Sequence, residues 1–346
     1  MRKIKTVQIG VGHDHARQNF TALNAMPHLF EIVGLVRVPG EEEIKPEFLE
    51  NTPHIPTLSL EEAFAVPGLE AAVIETTDME LVKYAQMAAD RDLHVFMDKP
   101  GSQSAEQYEE MLRTVHARKK VFGIGYVLRF NPMIRSTLEL ARQGKLGELY
   151  AVEAHMSRDD KDEKRRWLEQ FQGGMTYFLG CHLIDQVYAF MGVPEEIIPL
   201  NASTTPEKNN ALDLGMVAFR YPKGMSFIKA CGAEPGGFVR RQMVICGSQG
   251  TVEIRPLEEK TENDRVSRCL SWFRTDPDTP LAWGTPGEKA TSAPFNRYEG
   301  MFGEFAERIL KNRPSTAEEL EREARLHRMI LAACGMACDY KGSIDI

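Results

Sequence analysis

Two periodicities divide the chain. Through the first 125 residues, short apolar runs of strand length alternate with stretches whose apolar positions recur every three or four residues. "KTVQIG" (5–10) reads as a strand, "HARQNFTALNAM" (15–26) as a helix with Ala16, Phe20 and Leu23 on one face, and "EIVGLV" (31–36) as a second strand. The same alternation continues with a helix in "SLEEAFAV" (59–66), a strand in "EAAVIET" (70–76) and a helix in "MELVKYAQMAADRD" (79–92). It closes with a strand in "HVFMDKP" (94–100), a helix in "SAEQYEEMLRTVHARK" (104–119) and a strand in "VFGIGY" (121–126). Ser104 and Gln107 have capping-box spacing at the start of that last helix. Strands separated by helices imply parallel βαβ units and a doubly wound sheet of Rossmann type.

After the helical stretch 129–149 the period changes to longer alternating runs: "LYAVEAHMS" (149–157), "LGMVAFRYPKGMSFIKACGA" (214–233) and "RQMVICGSQGTVEIRP" (241–256). "YPKG" (221–224) and "GSQG" (247–250) have the composition of hairpin turns. The reading is a dinucleotide-binding domain over 1–125. Residues 126–346 then form an α+β domain with a mostly antiparallel sheet, for substrate and oligomerisation. Residues 257–295 show no period and read as an irregular excursion, before a final helix from Thr316. With 42% hydrophobic and 27% charged residues, the chain has the composition of a soluble globular protein. A net charge of −8 argues against nucleic acid as a partner, no apolar run is long enough for a membrane span, and the N-terminus enters a strand without an apolar signal region. A cytoplasmic location is the expectation. The six cysteines form no disulfide framework, and Cys334 and Cys338 read as sharing a helix face.

Chemistry enters at "VQIGVGHDHARQ" (7–18), where Gly10 and Gly12 lie between a strand and a helix, as a dinucleotide turn requires. The third glycine of that fingerprint is replaced by His15. For His13 and His15 no metal is expected, because no carboxylate or cysteine partner is evident near them in the sequence.

Further along stand "DKP" (98–100), "GYVLRFNP" (125–132), "GKLGEL" (144–149), "QGGMTYFLGCHLID" (172–185) and "ICGSQGTVEI" (245–254). In that order and at those separations the sequence resembles the Gfo/Idh/MocA oxidoreductase family over nearly its whole length. The resemblance implies a nicotinamide cofactor on the N-terminal domain, near Gly10, Gly12, His13, His15, Arg37, Thr76, Asp98 and Lys99. It also implies a sugar, polyol or related hydroxy or keto substrate, with Lys99 and His182 as the catalytic pair. The chemistry agrees with that pair: histidine titrates near neutral pH and suits a base for a carbinol proton, and a lysine ammonium stabilises a developing alkoxide. Tyr126, Arg166, Trp167, Phe178 and Asp185 are the substrate-side candidates; Asp185 lies three residues from His182 on one helix face, positioned to orient its ring, to act as a structural cap or to serve as an ion-pair partner.

Three departures qualify the resemblance. Phe178 stands where the family has an aspartate four residues before the histidine, "TTDMEL" (76–81) replaces a TPNxxH stretch, and Arg37 replaces the acid at the end of the second strand. An arginine there pairs with a 2′-phosphate, which favours NADP over NAD, against the nearby acids at 41–43. The family usually pairs through the open face of its C-terminal sheet, so a homodimer or homotetramer is expected. The alternative function is a catalytically impaired family member that senses a dinucleotide or ligand, kept open by Phe178 and opposed by the retention of Lys99 and His182.

Overall fold

The computed structural model describes residues 2–44, 48–49, 54–262 and 264–346. Compactness divides the chain into a first unit of Met1–Tyr126, Tyr298–His327 and Ser343–Ile346, and a second of Val127–Arg297 and Arg328–Gly342. The first unit thus takes back two stretches from beyond residue 297.

In the first unit the chain runs β1 (Ile4–Ile9), α1 (Ala16–Asn24), β2 (Phe30–Val36), β3 (Thr57–Leu58), α2 (Leu60–Phe64), β4 (Ala71–Ile74), α3 (Leu81–Ala89), β5 (His94–Met97), α4 (Ala105–Ala117) and β6 (Phe122–Ile124). All six strands are parallel in the order β3-β2-β1-β4-β5-β6. β4 is buried along its whole length, as a parallel strand covered on both faces must be. Ala16, Phe20 and Leu23 are buried on one side of α1, as their spacing predicts. Ser104 caps α4 through the Gln107 amide, but its own amide bonds to Ser102 Oγ; a complete capping box is made instead by Ser59 and Glu62 at α2. Strand order reverses between β1 and β4, the switch point at which such sheets bind ligands beyond their strand ends.

The second unit holds α5 (Pro132–Arg142), β7 (Leu149–His155), α6 (Asp162–Trp167), a π-helical turn Thr176–Gly180 and α7 (Cys181–Met191). There follow β8 (Glu196–Pro199), β9 (Leu214–Arg220), β10 (Met225–Cys231), β11 (Gln242–Gly247), β12 (Gly250–Ile254), β13 (Glu259–Lys260), β14 (Arg265–Val266), β15 (Arg268–Phe273) and β16 (Glu288–Thr291). An eight-stranded sheet runs β16-β15-β12-β11-β7-β10-β9-β8, antiparallel except at β7–β10. "YPKG" and "GSQG" join β9 to β10 and β11 to β12, as their composition predicts. The stretch 257–295 is not irregular: β15 and β16 extend the sheet and β13 and β14 form a hairpin, held by cross-strand pairing that no local period announces. α7 packs on β7 and β10, burying one sheet face.

α8 (Glu299–Leu310) belongs to the first unit, where Phe302 lies 4.7 Å from the Phe96 ring and 6.3 Å from Phe30. α9 (Ala317–Ala333) begins at a Thr316–Glu319 capping box and ends before Cys334, so Cys334 and Cys338 do not share a helix face. All six cysteines are free.

Candidate functional site

The turn after β1 is shaped by close approach. Gly10 has φ +98°, and a Cβ there would lie 2.4 Å from the Thr76 amide nitrogen. A Cβ on Gly12 would lie 2.8 Å from Glu41 Oε1. Glu41 is buried, and its carboxylate fills the turn: Val11 N donates to both oxygens at 3.1 Å, Gly12 N to Oε1 at 2.9 Å and Val38 N to Oε2 at 3.0 Å. Burial pushes the Glu41 carboxyl up, against the pull of those amides. The cradle therefore binds an anion, supplied here by the chain itself. Arg37 follows β2 directly, with Nη1 donating to the Glu41 carbonyl at 3.0 Å and Nη2 4.0 Å from Glu43.

Inside the turn lies a buried charge cluster at the ends of β4 and β5. His13 Nδ1 is 3.3 Å from Asp98 Oδ2, its Nε2 is 3.4 Å from Asp78, and Glu75 is 3.9 Å away. His15 Nδ1 is 3.1 Å from Asp98, and Asn19 donates to Glu75 at 2.6 Å and Asp98 at 3.0 Å. Lys99, almost fully buried, donates its amide to Asp98 Oδ1 at 2.7 Å. The sequence reading found no acid beside the two histidines; the fold delivers three, from strand ends 60 to 85 residues away, and His13, His15 and Asp98 bring ligand-type atoms within 4.8 Å of one another. Those atoms face one another as ion-pair and hydrogen-bond partners.

Burial opposes ionisation of Asp98, yet His13, His15 and Lys99 beside it hold its carboxyl below the usual range. Burial also opposes charging of His13, but Asp98 and Asp78 outweigh it and raise the imidazole. For Glu75, burial and then the Asp98 charge push the carboxyl well up.

A nicotinamide dinucleotide fits the turn on two observations. The Val11 and Gly12 amides already hold a carboxylate, and the absent Cβ atoms at Gly10 and Gly12 permit close backbone approach. The His13 amide is turned to the Glu75 carbonyl at 3.0 Å, so Val11 and Gly12 are the donors that meet the anion. The fold brings Gly10, Gly12, His13, His15, Thr76, Asp98 and Lys99 to neighbouring strand ends of the first unit, with Arg37 at the end of β2. Tyr126 is buried just after β6.

In the second unit His182 is buried in the first turn of α7, directly after the π-helical turn that carries Phe178. Such turns recur at functional sites. Phe178 meets Trp167 edge-on at 5.1 Å, and Lys164 Nζ lies 3.5 Å above the Trp167 ring. Arg158, Lys164 and Trp167 are among the residues lining a cavity of about 490 Å³. Asp185 is held by Arg129 through Nε (2.9 Å) and Nη2 (2.7 Å), and by Gln186 (2.7 Å), so it serves as an ion-pair partner. Arg166 is exposed, whereas Arg165 is committed to Asp213 at 2.9 Å and to Asp162. Sequence reasoning missed Glu75, Asn19 and Arg129, and weighed Glu41 only as a nearby charge; an acid near the C-terminal end of an apolar predicted strand was the available signal for Glu75.

Residues 4–126 match the family model described as "Oxidoreductase family, NAD-binding Rossmann fold", and residues 134–253 match "GFO/IDH/MocA C-terminal domain". A scyllo-inositol 2-dehydrogenase (NADP(+)) of Bacillus subtilis is 24% identical over 249 residues, 70% of this chain and 67% of that protein. A 2,7-anhydro-N-acetylneuraminate hydratase of Mediterraneibacter gnavus is 24% identical over 259 residues, 66% of this chain and 67% of that one. The chain spans between about half and two thirds of the length of the first curated relatives it matches. Among solved structures, a levoglucosan dehydrogenase in complex with NADH and levoglucosan shares the fold, with TM-score 0.78 at 16% identity over 96% of this chain and 98% of that one.

Proposed function

The chain belongs to the Gfo/Idh/MocA family of oxidoreductases, and on that premise we propose that it is an NAD(P)-dependent dehydrogenase or reductase of a sugar, polyol or related hydroxy or keto compound. The observation that carries the reading is the anion-holding glycine turn at the switch point of a parallel sheet, with the buried Lys99 just beyond β5 of the same sheet. The dinucleotide would be held by the Val11 and Gly12 amides and would supply the hydride acceptor. Lys99 stabilises the alkoxide as its proton leaves, and His182 takes that proton. Asp98 holds the backbone at Lys99 through its amide. The outer face of the C-terminal sheet, with Met216, Phe227 and Val244 half-buried or exposed, supports a homodimer or a tetramer of dimers. No helix among the described residues is long and apolar enough to cross a membrane.

Phe178 favours a second reading, a dinucleotide-binding sensor, since it puts an aromatic ring where the family has a carboxylate. The two separate by experiment. A catalyst binds reduced cofactor and loses turnover, not cofactor affinity, in Lys99→Ala and His182→Ala. A sensor binds cofactor and turns over none of a panel of polyols, sugar acids and ketones.

A further inference from the structure

We propose that the substrate is anionic, a sugar or polyol derivative whose carboxylate or phosphate is held by Arg241 and Arg158 beside the turn that carries Phe178. The inference deepens the dehydrogenase reading above and rests on it. Every residue it uses lies in the second unit.

The sheet brings the two arginines together. β7 and β11 pair antiparallel with His155 opposite Gln242, so Arg158, just beyond β7, and Arg241, just before β11, leave the same end of the sheet. Arg241 is only 7% exposed, yet among the described residues it is in no ion pair. Its Nε donates to the Ser157 carbonyl at 3.3 Å, and its guanidinium lies 4.6 Å from the Phe238 ring. A buried guanidinium without a carboxylate is costly, and an anion that reaches it relieves the cost. Burial and then the like charge of Arg297 push it down to about 10, with Arg158 and Arg265 adding to the effect and Glu258 opposing it. It stays charged at neutral pH.

The acids around Arg241 are already matched. Arg297 grips Glu258 through Nε (3.1 Å) and Nη2 (2.6 Å), and Arg265 Nε stands 4.0 Å from the same carboxylate. Arg158 pairs with Asp160 at 2.9 Å, and Glu234 is taken by Lys229 at 2.6 Å and by Arg240. Arg158, Arg241, Arg265 and Arg297 thus set four guanidiniums against the two carboxylates of Asp160 and Glu258. Such forks bind carboxylate or phosphate oxygens two at a time, a pairing that a neutral hydroxyl does not offer.

The arginines flank the turn before the proposed base. Arg158 lies 5.8 Å from the Phe178 ring and 5.9 Å from that of Phe238, which is half exposed, and Phe178 stands one turn before His182. Arg158 also lines the cavity of about 490 Å³ with Lys164 and Trp167; Asp159, Asp160 and Glu163 balance the bases there, so the unmatched charge is on the Arg241 side. An aspartate at position 178 would put a negative charge beneath Arg158 and repel an anionic substrate, and phenylalanine removes that repulsion.

The test joins turnover to binding, on the full chain with NAD and NADP. Aldonic acids, uronic acids and sugar phosphates are each assayed by nicotinamide absorbance against the neutral parent sugar or polyol, for wild type, Arg241→Gln and Arg241→Lys. At least one acidic compound should exceed its neutral parent in kcat/KM by about tenfold or more, and Arg241→Gln should raise its KM by about tenfold or more while kcat stays within about threefold. Arg241→Lys, which keeps the charge but not the fork, should fall between. Inorganic phosphate and acetate are titrated calorimetrically at constant ionic strength; at least one should bind wild type and weaken by about tenfold or more in Arg241→Gln. Preference for the sugar acids marks a carboxylate, and preference for the sugar phosphates a phosphate. Thermal melting checks folding, and if Arg241→Gln does not fold, Arg158→Gln carries the same expectations. Neutral compounds turned over as well as acidic ones, a KM unmoved by the substitution, or anion binding absent from wild type or unchanged in the variant each overturn the inference and leave the dehydrogenase reading intact. If no compound of either kind is turned over while cofactor binds, the dehydrogenase reading itself fails, and the inference with it.

Discussion

Replacing Gly12 by alanine tests whether the turn is built around the Glu41 carboxylate. The new Cβ would stand 2.8 Å from Glu41 Oε1, 2.8 Å from Thr77 Cγ2 and 3.0 Å from the Thr77 amide nitrogen. The carboxylate is the end of a flexible side chain, so it gives way first. Retreating by about half an ångström, it stretches the 2.9 Å bond from Gly12 and one of the two 3.1 Å contacts from Val11 beyond hydrogen-bond length. Hydrogen bonds to charged groups are worth about 1.5–3 kcal/mol each, and the loss of one such bond with part of another comes to about 2–3 kcal/mol. The reduced freedom of alanine in the unfolded chain returns about 0.4–1 kcal/mol. The net cost is then about 1–2.6 kcal/mol, or roughly 2–10 °C in Tm at the 2–4 °C per kcal/mol typical of units of 150–250 residues. Calorimetry or thermal fluorescence measures it, and a double-mutant cycle identifies the cause. In a Glu41→Ala background the same Gly12→Ala change should cost at least about 1 kcal/mol less, because the contact with Oε1 is gone and only those with Thr77 remain. A Gly12→Ala protein melting within about 1 °C of wild type, or an unchanged cost without Glu41, refutes the reasoning.

Three further outcomes are expected. Phe302→Ala, which empties a fully buried site between Phe96 and Phe30, should cost about 3–5 kcal/mol by denaturant titration, and a loss below about 1 kcal/mol would show that α8 does not seal that core. Glu75 has a raised carboxyl, so the folded state keeps a proton that the unfolded state releases; the stability this confers is complete below the usual glutamate range and fades as pH rises from there towards the folded value. Glu75→Gln, which does not titrate, should therefore gain on wild type in melting temperature between pH 5 and pH 8, and a difference that is flat or falls with pH contradicts the assignment. Light scattering at micromolar concentration should give a dimer or tetramer, and a monomer would contradict pairing through the outer face of the C-terminal sheet.

The sequence announced the fold wherever local pattern and tertiary role coincide. Buried parallel strands such as β4 read as continuous apolar runs, and α1 shows its buried face at Ala16, Phe20 and Leu23. β15 and β16 escaped because edge strands of half-exposed residues carry no strong alternation; their pairing with β12 is a tertiary fact. α8 was invisible as part of the first unit, since nothing local says that Phe302 belongs beside Phe96. At the site, the glycines and DKP were legible as motifs. The acid cluster around His13 was not, because Glu75, Asp78 and Asp98 meet it only through the register of parallel strands. Glu41 was seen as charge but not as a ligand of the glycine turn, for which the return of the loop after β2 had to be known.

The most direct measurement of the central claim is the change in absorbance at 340 nm when the protein, with NAD(P)H or NAD(P), meets a panel of sugars, polyols and their keto forms. The account predicts turnover of at least one compound, lowered by about 100-fold or more in both Lys99→Ala and His182→Ala while cofactor still binds. Turnover that survives both substitutions, or bound cofactor with no compound turned over, contradicts it.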